Sequence, residues 1–68
     1  MANTKALKEC IDDSGVPVAE VARRAGMLRE TLYNRMSGKG EFKASEIMAL
    51  ASVLRMTKAQ RDSIFFTN

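Results

Sequence analysis

The sequence predicts an all-α fold, a compact bundle of about five short helices forming a single domain over residues 1–68. Helix-favouring alanine, leucine and methionine recur throughout, and runs of β-branched residues are absent. The lone proline, Pro17, stands near a predicted helix start, where its missing amide is tolerated. Apolar residues return again and again at the i, i+3, i+4, i+7 spacing that marks one helical face.

Each element follows from that spacing and its punctuation. Over residues 4–14, Leu7, Cys10, Ile11 and Ser14 share a face, and Gly15 ends the helix. Over 17–25, Val18, Val21, Ala22 and Ala25 share a face that must be core, and Gly26 supplies a left-handed residue at which the chain turns. A third helix over 29–37 resumes the apolar spacing at Leu32 and Met36, and Gly38-Lys39-Gly40 forms a loop. Over 44–54 the buried stripe is Ile47, Leu50, Ala51 and Leu54. The last helix, 58–66, follows Thr57 as N-cap and carries Ile64 and Phe65. A chain of this length buries only about 60% of its unfolded surface, so a stability of a few kcal/mol is expected.

The second and third helices, hinged at Gly26, hold the functional signal. With Leu32 and Met36 turned inward, Arg29, Glu30, Tyr33 and Asn34 occupy the opposite side of the third helix. Arginine can bond guanine bidentately, asparagine can bond adenine, glutamate can accept from the cytosine amine, and tyrosine brings a hydroxyl and a ring. A solvated helix face is polar as well, so spacing alone leaves both readings open. Charge separates them. Residues 1–22 carry Lys5 and Lys8 against Glu9, Asp12, Asp13 and Glu20, a net of −2. Residues 23–43 carry Arg23, Arg24, Arg29, Arg35, Lys39 and Lys43 against Glu30 and Glu41, a net of +4. A local basic patch of this kind favours phosphate contact.

The run Glu20-Val21-Ala22-Arg23-Arg24-Ala25-Gly26, followed by Arg29-Glu30-Thr31-Leu32-Tyr33 and Ser37-Gly38-Lys39, resembles the helix-turn-helix domain of lambdoid phage repressors and Cro proteins and the wider group of xenobiotic-response-element-like regulators. The resemblance spans about residues 5–66 and is nearest to short prophage regulators. It implies a sequence-specific regulator of transcription whose partner is a double-stranded DNA operator, with a homodimer as the pairing to look for. Gly26 matches the turn glycine, Ala22 the small residue where the two helices approach, and Leu32 the buried aliphatic of the recognition helix. Arg29, Glu30, Tyr33 and Asn34 match the base-reading positions, while Leu28, Arg35, Lys39 and Lys43 are the expected contacts to the DNA backbone. Two residues depart from the family. Val18 replaces a glutamine that helps to hold the backbone, and Leu28 replaces the serine or threonine that caps the recognition helix. Losing that cap costs about 1 kcal/mol. Leu28 is expected to pack inward, with contact to a thymine methyl group as the alternative.

Other chemistry has little footing. The chain has one cysteine and no histidine, which excludes an internal disulfide and a His/Cys metal site; Cys10 is expected to be a buried, inert thiol. Ser14, Ser37, Ser45, Ser52 and Ser63 lack a base in any nucleophile motif, and the glycines form no phosphate-binding loop, so neither catalysis nor a cofactor nor a small-molecule ligand is expected. No stretch approaches a membrane span or a signal peptide, and cytoplasmic location is expected. Met1, Met27, Met36, Met48 and Met56 read as core or seam filling. Phe65 and Phe66 cannot both face one core, so Phe66 either folds back over its own domain or covers a neighbouring copy. The competing function is a small helical protein-interaction module, an antitoxin or accessory phage factor, that uses the Tyr33 and Phe66 surfaces.

Overall fold

The computed structural model describes residues 2–66, which form an all-helical bundle measuring 27 × 23 × 20 Å. The helices are α1 (Thr4–Ser14), α2 (Val18–Arg24), α3 (Arg29–Met36), α4 (Ala44–Val53) and α5 (Lys58–Phe65). Their starts are capped where the sequence offers an acceptor. Asn3 Oδ1 accepts the Ala6 amide at 3.1 Å. At α5 the cap is reciprocal: Thr57 Oγ1 accepts from the Gln60 amide at 3.1 Å and Gln60 Oε1 from the Thr57 amide at 2.8 Å.

Three helices close in the same way, with a left-handed residue and a six-to-one hydrogen bond that satisfies the last carbonyls. After α2, Gly26 has φ +71° and the Met27 amide donates to Ala22 O at 2.9 Å. After α3, Gly38 has φ +85° and the Lys39 amide donates to Asn34 O at 2.8 Å. The bond after α4 runs from the Met56 amide to Ala51 O at 2.9 Å, but the left-handed residue is Arg55, at φ +53°. These closures explain why α2, α3 and α4 each stop one residue short of the sequence expectation: Ala25, Ser37 and Leu54 are the half-helical caps.

One core holds the bundle: Leu7 and Ile11 from α1, Val21 and Ala22 from α2, Leu32 from α3, Ile47 and Leu50 from α4, and Ile64 and Phe65 from α5. α2 packs on α3 and α4, α1 packs on α3 and α5, and α4 meets α5, so each helix is held by two others around the core. The Asn3 amide donates to Ile64 O at 2.6 Å, and Phe42 meets Phe65 edge to face with ring centroids 5.2 Å apart. Ser14 leaves the expected stripe; it is exposed, its hydroxyl donates to Ile11 O, and it accepts from the Val16 amide. Cys10 is half-buried, and burial first, then the Asp13 carboxylate, pushes its thiol up and disfavours the reactive thiolate. Met27, Met36 and Met56 pack against the core as expected, Met48 is 58% exposed, and Met1 lies outside the described residues. Phe66 does not fold back over the core but remains 58% exposed, because adjacent positions at a helix end face different ways and Phe65 takes the inward one. No helix among the described residues is long and apolar enough to cross a membrane.

A left-handed conformation costs an L-residue about 1–2 kcal/mol, and glycine returns about 0.5–1 kcal/mol of that as unfolded-state entropy. Arg55→Gly is therefore expected to stabilise the fold by about 0.5–1 kcal/mol, read as a higher urea midpoint at unchanged slope.

Candidate nucleic-acid interface

α3 begins without a side-chain cap. Leu28 occupies the N-cap position with extended backbone (φ −69°, ψ 140°), makes no capping hydrogen bond, and is 75% exposed. The expectation that it packs inward is thus corrected. Met27 takes the inward place against the core, and side chains of successive residues in extended chain point to opposite sides.

The outward face of α3 brings together most of the residues expected to read bases. The Arg29 guanidinium carbon lies 5.4 Å from the centroid of the Tyr33 ring, one turn along the helix, a cation–π contact that holds a long side chain in a defined place. Tyr33 remains half open to solvent, Glu30 is exposed beside the pair, and Asn34 is half-buried at the edge of the face. Leu32 is completely buried on the other side and Met36 packs partly against the core, so the split between the two faces is as the spacing predicts.

Arg35 is placed differently. Its Nε donates to Glu46 Oε1 at 3.0 Å and its Nη2 to Oε2 at 3.4 Å, and both side chains are largely covered, at 17% and 13% exposure. A Cβ on Gly40 would stand 2.7 Å from Arg35 Nη1, so the loop passes directly over the guanidinium. Glu46 also accepts the Lys43 amide at 2.9 Å; Lys43 has no acceptor to reciprocate. Burial pushes the Glu46 carboxyl up, but Arg35 and the Lys43 amide outweigh it and hold the group below its usual range. Arg35, expected to contact phosphate, ties α3, the following loop and α4 together. The signal was present: Arg35 lies three residues after buried Leu32, on the inner edge of the helix.

The basic patch is smaller than the sequence suggests. Glu20 receives Arg23 through two hydrogen bonds of 2.8 and 2.6 Å and Arg24 through a third of 2.8 Å. Counting charge by segment separated these partners, as it separated Arg35 from Glu46. Among the described residues, Arg29, Lys39 and Lys43 form no ion pair, and all three are exposed. Val18, where the resemblance implies a glutamine, packs partly against the core. No group of three His, Cys, Asp or Glu side chains able to hold a metal ion occurs among the described residues. A cleft of about 320 Å³ opens next to the α3–α4 loop, with Arg35, Phe42, Phe65 and Phe66 in its walls.

Two outcomes follow. Arg35→Ala leaves a largely covered carboxylate without its partner and is expected to cost about 3 kcal/mol, whereas the Arg35→Met/Glu46→Leu pair costs much less; urea unfolding of the single and paired variants reads the difference. Hydrogen bonds from Arg23 and then Arg24 hold Glu20 at about 2 instead of 4.5. A lowered folded-state value gives stability that is complete above pH 4.5 and is lost as the pH falls toward 2. The advantage of the native chain over Glu20→Gln is therefore expected to be level at neutral pH and to vanish across that acid window. It also shrinks in added salt, since these side chains face water.

No protein-family model, no curated protein and no solved structure matches this chain.

Proposed function

We propose that this chain is a sequence-specific, double-stranded DNA-binding regulator of transcription, of phage repressor and Cro type, acting in the cytoplasm of a bacterial or phage-infected cell. α2 and α3 are then the two halves of a helix-turn-helix hinged at Gly26, and α3 enters the major groove. The observation that carries this reading is the outward face of α3, where Arg29 is braced on Tyr33 beside exposed Glu30 while the inward face holds the core. A braced guanidinium suits bidentate recognition of guanine, and Glu30 and Asn34 extend the row of base-reading groups. With Arg35 engaged by Glu46 and no polar group on the Leu28 side chain, phosphate contact falls to Lys39 and Lys43. That is a small electrostatic footprint. At about 0.9 in slope for each neutralised phosphate, affinity falls with salt far less steeply than for large repressors.

Exposed Phe66, at the rim of the cleft with Phe42 and Phe65, is the surface on which a second copy would pair. In a dimer the two reading helices stand about 34 Å apart and the operator is a near-palindrome.

Selecting bound duplexes from a random library at near-physiological salt tests the proposal. A palindromic consensus supports a dimeric regulator and a single short half-site supports a monomeric reader. Absence of retention turns the assignment to the protein-interaction module on the Tyr33 and Phe66 surfaces. On the selected duplex, Arg29→Ala is expected to lose about 1–3 kcal/mol and to relax preference at one position, while Lys39→Ala weakens all sequences alike and lowers the salt slope by about 1. Equal loss on every sequence for Arg29→Ala removes its base-reading role.

A further inference from the structure

Leu28 is the most open of the large apolar side chains among the described residues, at 75% exposure. It performs neither duty usual for its place. It offers no acceptor to the first amides of α3, and Met27 is the residue that fills the adjoining part of the core. In the free protein a branched hydrocarbon here sacrifices a cap and leaves apolar surface in water. It also stands singly: Tyr33, the large exposed group on the neighbouring face of α3, is engaged by Arg29, so no broad apolar patch surrounds Leu28.

Resting on the reading of α3 as the helix that enters DNA, we propose that the Leu28 side chain recognises the C5-methyl group of a thymine in the major groove, within two base pairs of the one contacted by Arg29. Thymine's methyl is the only apolar group that the four base pairs present along that groove. Consecutive Cα atoms lie about 3.8 Å apart and stacked base pairs about 3.4 Å, so neighbouring side chains at the start of a helix reach neighbouring steps. Charge selects the occupant. Arg29 follows Leu28 directly, and it, Lys39 and Lys43 are exposed without an ion pair among the described residues, which a duplex satisfies and a hydrocarbon groove does not.

The test replaces each thymine of a selected duplex in turn by deoxyuridine, which removes only the methyl. Dissociation constants are measured for the native chain, Leu28→Ala and Leu28→Ser. The native chain is expected to lose about fourfold at one thymine per half-site, the worth of one buried methyl, near the position whose preference Arg29→Ala relaxes. Leu28→Ala binds the two duplexes equally. Leu28→Ser regains a helix cap, gains stability, and is equally blind to the methyl, which separates reading from folding. Indifference of the native chain to every thymine methyl overturns the proposal, as does the same fourfold loss in Leu28→Ala; either leaves α3 a DNA reader, since the duplex is still selected and bound. If no duplex is selected, that reading falls and this one with it.

Discussion

A helix of eight residues does not persist alone in water, because starting a turn costs more than so few hydrogen bonds return. α3 is that short, and it lacks a side-chain cap at its start. Whatever its outward face does depends on how its inward face is held. Leu32 is sealed in the core, α2 and α1 pack against it from two sides, and Gly38 closes its last turn in a conformation open to glycine at little cost. The outward residues are thereby relieved of structural work, which is why Arg29 and Tyr33 can engage each other instead of a neighbouring helix.

The tie from Arg35 to Glu46 does something that burial of Leu32 cannot. Apolar packing is nondirectional and lets a short helix rotate or slide by small amounts, whereas a two-point hydrogen-bonded pair fixes angle and register. Taking both charges largely out of water offsets much of their attraction, so the pair adds definition more than net stability. Gly40 completes the arrangement. Its φ of +103° strains any L side chain, and a Cβ there would push the guanidinium aside, so glycine lets the loop lie close over the pair it screens.

Much of this was legible in the sequence. Gly26, Thr57, Leu32, Leu50 and Phe65 each sit where spacing and cap chemistry put them, because periodicity and turn preference are local properties. What escaped was nonlocal. Arg35 and Glu46 are eleven positions apart, and nothing in a count of charges tells which cation meets which anion. The left-handed turn at Arg55 carries no glycine to announce it; the tertiary path from α4 to α5 imposes it. A leucine beside a helix start is ordinarily core, but Met27 takes the inward position and leaves Leu28 in solvent. Of the residues singled out in the sequence, Arg29, Glu30, Tyr33 and Asn34 lie along one side of α3, while Arg35 is paired with Glu46.

The contact of Asn3 with Ile64, together with the seating of α1 on α5, joins the two ends of the described chain. During synthesis the first helix emerges early and meets α3 before α5, so Leu7 and Ile11 are only partly covered until Ile64 and Phe65 have been made. Helices in the middle can form and dissolve quickly, but the core closes only with its last contribution. A ribosome stalled before α5 therefore holds a chain whose core lacks one wall, and the outward face of α3 is fully supported only once α5 has joined the bundle.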